Sequence, residues 1–361
     1  LDRVLVGAGK GREDEVAAVG MAVVHAHAGH ALVDLADAAE VAEVQVRVDA
    51  VREHVQRDGD DVEVAGAFAV AEERAFHPVR AGHEAGQNQV VYTRLAADLD
   101  TPVSLMLKLA GAGKHAFMLE SVTGGEVRGR YSIVGMNPDL IWDCNGTTAR
   151  INRTARYDDD SFEILDADPL TSLRALLAES RIDLPEGLPG ASAGLFGYLG
   201  YDMIRLVEHL PNINPDPIGL PDAVLLRPSV AAVLDGVKGD VILVAPAWAN
   251  AGLSAKAAYA QAAERVVDAQ RALERSVPSA TRDLAAPKPP APPVSNFTKD
   301  GYMAAVEKAK DYIRAGDIFQ VVPAQRWTQE FREPPFALYR SLRRTNPSPF
   351  MFFFNFGDFQ V

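Results

Sequence analysis

The sequence is poor in several things, and each shortage narrows what the protein can be. It has one cysteine, Cys144, in 361 residues. No internal disulfide can form, and the chain suits a reducing compartment. Cys144 itself reads as a small buried hydrophobe. No apolar run reaches 18 residues, so no membrane-spanning helix is expected. The opening Leu1-Asp2-Arg3 has no basic stretch leading into an apolar one, which argues against a secretory signal. These features together predict a cytoplasmic protein. Basic charge is also in deficit, with 36 Lys and Arg against 49 Asp and Glu and a net charge of −13. Nucleic-acid binders gather basic residues on one face, so that class is disfavoured.

Aromatic residues are scarce in the first quarter of the chain. Residues 1–88 hold Phe68 and Phe76 but no Trp or Tyr, while carrying six of the eight histidines. A core is hard to fill to native density without large side chains. This stretch is therefore expected to be a poorly packed, disordered or non-native extension. Its most tempting feature is His25-Ala26-His27-Ala28-Gly29-His30, since His25 and His27 would share one face of a strand. No Cys or carboxylate stands at ligand spacing, so the tract reads as solvated.

From residue 89 the text becomes regular. Asp100-Thr101-Pro102 is a helix start, a capping side chain followed by proline at the first helical position, and the helix runs to Gly111. Strands are expected at 116–119 and 130–135, with a Thr123-Gly124-Gly125 turn between them. A helix at 168–179, strands at 193–199, 223–234 and 240–245, and an Ala-rich helix at 254–275 follow. Residues 276–294 contain six prolines and read as an extended linker, reaching to about 296. Beyond it Thr298 caps a helix closed by Gly316, with Tyr302, Val306, Ala309 and Ile313 on its apolar face. Gly316 to Val322 reads as a turn into a strand, Phe336 to Arg344 as a short amphipathic helix, and 350–356 as a buried strand. The pattern predicts an α+β protein, mainly antiparallel β-sheets packed in a sandwich with flanking helices.

General chemistry finds no catalytic centre in this text. GAGKG at 7–11 and GAGKH at 111–115 lack both the first glycine and the following Ser or Thr of a phosphate loop. GLFGYLGYD at 194–202 spaces its glycines three apart, which is not the dinucleotide fingerprint. These glycines read instead as positions where another backbone comes close. His115 and His209 are isolated, with no nucleophile beside them.

The wording of four segments is more specific. MLESVTGGEVRGRYSIVG (118–135), GLFGYLGYDMIRLVE (194–208), AGDIFQVVPAQRW (315–327) and NPSPFMFFF (346–354) occur in this order. Together they resemble component I of anthranilate synthase, a chorismate-using enzyme of tryptophan biosynthesis. The resemblance covers about 89–361 and not 1–88. It implies a regulatory domain at 89–275 and the start of a chorismate-binding catalytic domain at 297–361. It implies a lyase that turns chorismate and ammonia into anthranilate and pyruvate. The ammonia would come from a glutamine amidotransferase subunit, and L-tryptophan would be the feedback inhibitor. It also implies Mg²⁺, whose carboxylate ligands in the family fall after the equivalent of Val361, so the chain reads as a truncated form with no assignable metal ligand and little activity alone. Two alternatives stand beside this: the aminodeoxychorismate synthase component of folate biosynthesis, and a non-catalytic fragment that binds tryptophan or the amidotransferase.

The resemblance further implies a tryptophan site, which must satisfy an ammonium, a carboxylate and an indole together. Glu120 and Ser121 would serve the amino-acid end, and Arg130 would balance the ligand's carboxylate. Asn346, Pro347, Ser348 and Pro349 form a stiff loop with carbonyls for the ammonium, while Phe350 and Met351 would flank the indole. Gln320 matches a position at which the isochorismate-forming relatives resemble one another in having a lysine that activates water. A glutamine amide cannot act as that base, so Gln320 favours the ammonia-using branch.

Overall fold

The computed structural model describes residues 20–24, 79–111, 113–121, 129–210, 215–249, 252–278 and 291–361. The histidine tract 25–30, the first GAGKG, the Thr123-Gly124-Gly125 turn and most of the proline-rich linker lie outside the described residues.

Ten strands form one hydrogen-bonded antiparallel sheet. Its frame is two long strands, β4 (Tyr131–Asn145) and β8 (Ala223–Asp235), paired along nearly their whole length. The register shifts between Pro138 and Leu140, where β4 accommodates the extra residue Asp139 as a bulge does. Because both strands outrun any one neighbour, the sheet forks. One half of β8 pairs with β7 (Leu195–Leu199) and the other with β9 (Asp240–Ala247). In the same way β4 pairs with β3 (Ala116–Glu120) at one end and β5 (Thr148–Asn152) at the other. β9 continues to β2 (Gln89–Ala96), β5 to β6 (Glu163–Ile164), and β7 to β1 (Gly20–Val24). The sheets expected from the sequence are thus joined through shared strands. Part of the low-aromatic extension takes part, since β1 lies on β7 and Val79 is buried in the main core.

All thirteen residues of β8 are buried, which explains its near-continuous apolar text: side chains on both faces are covered. One face packs on α3 (Ala255–Leu273), capped by Ser254, through Ala258, Ala262, Val266 and Ala269. The same face receives α1 (Pro102–Leu105), whose capping box joins Thr101 and Ser104, and the π-helical turn Met106–Ala110 that continues it. The opposite face is aromatic, with Phe117 stacked between Phe196 and Phe354 at 4.5 and 5.3 Å. α2 (Pro169–Glu179), capped by Asp168, covers a third cluster around Trp142 and Leu225. Gly197 of β7 meets the expectation of close backbone approach, because a side chain there would run into the Val224 carbonyl of β8.

α2 is tied down by charge as well. Arg227 on β8 is nearly buried and reaches Asp139 at 2.8 Å, Glu179 at 3.1 Å and the Ser180 hydroxyl at 3.2 Å. Its guanidinium lies 4.2 Å from the Trp248 ring centroid, and Trp248 donates to Asp139. The bulge at Asp139 is thus also the point that presents a carboxylate to this arginine.

After the linker the chain forms β10 (Val294–Ser295) with β11 (Trp327–Thr328), and α4 (Lys299–Ala315) between Thr298 and the left-handed Gly316. α4 buries no residue, and Phe319 is 91% exposed. The strand expected after Gly316 is absent: residues 317–326 are irregular and pair with no described strand. α5 (Pro335–Thr345) and β12 (Met351–Asn355) instead return to the large sheet, with β12 pairing antiparallel to β3.

Candidate functional site at the β3–β12 edge

β3 reads AFMLE and is buried at all five positions. Strand alternation sends Met118 and Glu120 to the α-helical face and Phe117 and Leu119 to the aromatic face. β12 repeats this in register: Met351 lies across from Glu120, Phe352 from Leu119 and Phe353 from Met118. A carboxylate therefore ends a strand that is otherwise apolar, and it does so inside the core. Its side chain is 2% exposed.

α5 supplies what that charge needs. Arg343 donates through Nε to both Glu120 oxygens at 2.9 and 2.7 Å and through Nη2 to Oε1 at 2.6 Å. Tyr339, one helical turn earlier, donates its hydroxyl to Oε2 at 2.9 Å. Tyr339 is held by a stack on Phe336 at 5.5 Å and by Phe353 at 6.1 Å. Burial first, and then the Glu120 charge and hydrogen bond, raise the Tyr339 phenol above its ordinary range. The hydrogen bond to Glu120 likewise raises Arg343. Both groups stay protonated donors at neutral pH.

Ser121 continues β3 by one residue, and its hydroxyl donates to the Pro349 carbonyl at 2.7 Å. Asn346, Pro347, Ser348, Pro349 and Phe350 are all exposed, forming the corner between α5 and β12, with Phe350 67% exposed. Met351 is buried beside Glu120. Glu120, Ser121, Pro349 and Met351 are thus brought together. Phe350 lies exposed in the bend before β12, whereas Met351 is buried as the first residue of the strand. Arg130 immediately precedes β4 at the same end of the sheet but grips Asp235 at 2.9 and 2.6 Å, and its guanidinium lies 5.0 Å from the Tyr131 ring centroid. That pairing is the first cause holding the Asp235 carboxyl below the usual range. Gln320 lies apart, exposed in the irregular segment after α4.

Tyr339 and Arg343 were not singled out by the motif reading. The available signal was their spacing of four on an amphipathic helix, which places them on one face, immediately before the Asn346-Pro347 corner.

Among the described residues no group of three or more His, Cys, Asp or Glu could hold a metal ion. These residues do not fit a Mg²⁺ site, and no step is assigned through one. No described helix is long and apolar enough to cross a membrane.

The sequence profile of the chorismate binding enzymes matches residues 115–361, the span that holds both strands of this edge and α5. The chain belongs to the chorismate binding enzyme family. Among its relatives in that family is anthranilate synthase component 1 of Cereibacter sphaeroides, 71% identical over 287 residues, covering 80% of this chain and 57% of the relative. The Pseudomonas aeruginosa protein of the same name is 40% identical over 276 residues, covering 73% and 53%. The crystal structure of anthranilate synthase component I from Streptococcus pneumoniae TIGR4 superposes with a TM-score of 0.51 at 27% identity, covering 66% of this chain and 50% of that one. This family member spans little more than half the length of the relatives it matches.

Proposed function

We propose that this chain is the effector-sensing portion of an anthranilate synthase component 1, and that L-tryptophan binds at the β3–β12 edge. The observation that carries the reading is the register of that edge. Met351 stands across from Glu120, and Ser121 holds the Pro349 carbonyl, so the MLES strand and the NPSPFM corner form one place. Glu120 is a desolvated carboxylate suited to an α-ammonium, and Pro349 and its neighbours expose carbonyls beside it. Met351 supplies buried apolar surface beside Glu120, and Phe350 exposed apolar surface at the corner. Arg130 would reach the ligand's carboxylate only by sharing its guanidinium with Asp235.

The complete enzyme would add ammonia to chorismate and release pyruvate, with ammonia delivered by an amidotransferase subunit and Mg²⁺ holding the substrate carboxylate. We assign that chemistry to residues outside these 361, in the part of the relatives' length that the chain does not span. The cytoplasm, to which the single cysteine points, is the expected compartment. The names of the relatives favour this reading over the aminodeoxychorismate branch.

The test is an anthranilate fluorescence assay with chorismate, ammonium and Mg²⁺. It compares this chain with a chimera extended through the unspanned part of the Cereibacter relative. Turnover by the chimera alone, inhibited by L-tryptophan, is the expected result. Turnover by the 361-residue chain would place the active site within it and contradict the assignment.

A further inference from the structure

We infer that Arg343 is a built-in competitor for the ammonium subsite: its guanidinium occupies the Glu120 carboxylate until an amino-acid effector displaces it. This rests on the reading of Glu120 as the effector's ammonium acceptor. Both carboxylate oxygens are engaged, Oε1 by two Arg343 nitrogens and Oε2 by Arg343 and Tyr339. A bidentate guanidinium covers the side of a carboxylate that an ammonium would approach. The two cations cannot both hold it.

The partners differ in freedom. Glu120 is 2% exposed and fixed in a strand paired on both sides, whereas the Arg343 side chain is 32% exposed on the last turn of a helix. A buried carboxylate left without a cation is strongly unfavourable, so molecules whose carboxylate is free of Arg343 are a small fraction until another cation arrives. Tyr339 keeps its bond to Oε2 in either state, because the stack on Phe336 fixes its ring. The displacement also has a path outward. The Asn346 amide donates to the Leu342 carbonyl and the Thr345 hydroxyl to that of Ser341. The turn that bears Arg343 is thus the turn that leads into the 346–350 corner. Exchange of guanidinium for ammonium changes the tether of that corner on one side, while Ser121 holds Pro349 on the other. Arg343 thereby sets the concentration at which the effector is sensed, since the apparent affinity is scaled by the fraction of molecules with the carboxylate free.

L-Tryptophan is titrated calorimetrically into the full 361-residue wild type, Arg343→Ala, Arg343→Lys and Arg344→Ala at constant ionic strength, with thermal unfolding run on each. Removal of the competitor is expected to tighten binding on the order of tenfold. Arg343→Lys, a point charge without the fork, is expected to bind more tightly than wild type but less tightly than Arg343→Ala. Arg344→Ala removes the same charge from an exposed neighbour and is expected to match wild type. The sign discriminates: a merely structural arginine would weaken binding when lost. If Arg343→Ala does not fold, the lysine variant must still bind more tightly than wild type. Unchanged or weaker binding in the Arg343 variants, with wild type binding normally, overturns the competitor and leaves the site reading intact. No binding by any chain, the Arg343 variants included, overturns the site reading and the competitor with it.

Discussion

Glu120 and His115 stand at opposite ends of β3, and each gives a different kind of consequence at the scale of single side chains. Glu120 was legible as a special residue only because the string around it was recognisable. Its chemistry was not, since a carboxylate after four apolar residues reads equally well as the first solvent-facing position of a loop. What the text hid was long-range: the cation and the phenol that satisfy it come from residues more than two hundred positions away. Arg130 shows the converse, as its nearness to Glu120 in sequence says nothing of its bidentate partner Asp235 on β8. His115 is held at a positive φ of 54° with Nε2 3.4 Å from Asp159, and its buried Nδ1 has no hydrogen-bond partner. Burial is the first cause lowering its pKa below the ordinary 6.5, against the opposing pull of Asp159. The folded state then binds a proton less readily than the unfolded one, so stability is full above about 6.5 and falls as pH drops through and below that value. His115→Asn, which tolerates the left-handed backbone, is expected to lose less stability than wild type between pH 7.5 and 5.5. Urea unfolding at the two pH values checks this, and equal losses in the two proteins would refute it.

At the scale of elements, helices and strands with strong local signals were legible in the sequence. The caps expected at Thr101 and Thr298 appear, as does the left-handed glycine after α4, and the helices expected at 168–179 and 254–275 prove to be capped by Asp168 and Ser254. β2 and β5 escaped notice because their partners β9 and β4 decide them more than their own text does. The segment after Gly316 failed in the other direction. GDIFQVV has the apolar content of a strand, but a strand forms only against a pairing partner, and no described strand pairs with this segment. The glycine reading carries a test. A β-carbon at Gly197 would meet the backbone of β8, which cannot move aside as a side chain can. Gly197→Ala is expected to cost about 2–3 kcal/mol, read as a lower denaturant midpoint. A change within a few tenths of a kcal/mol would mean that β7 and β8 do not approach as described.

For the whole molecule, what matters is that the large sheet is closed at one edge by a strand from the far end of the chain. β12 and α5 come after the proline-rich linker, yet they pack on β3 and on the same core as α1 and α3. The linker therefore separates in sequence what the sheet joins in space, and the candidate site lies on that join. No local pattern announces such a join, because strand order is set by which apolar faces find each other across the folded chain. The proposed site depends on Glu120 accepting an amino acid's ammonium. Calorimetric titration of L-tryptophan into the wild-type chain and into Glu120→Gln tests this most directly, with thermal unfolding showing that both are folded. One-to-one binding by wild type is expected, with at least about tenfold weaker binding by the variant, the loss that accompanies a charged hydrogen bond. Equal affinity in the two, or no binding by a folded wild type, would contradict it.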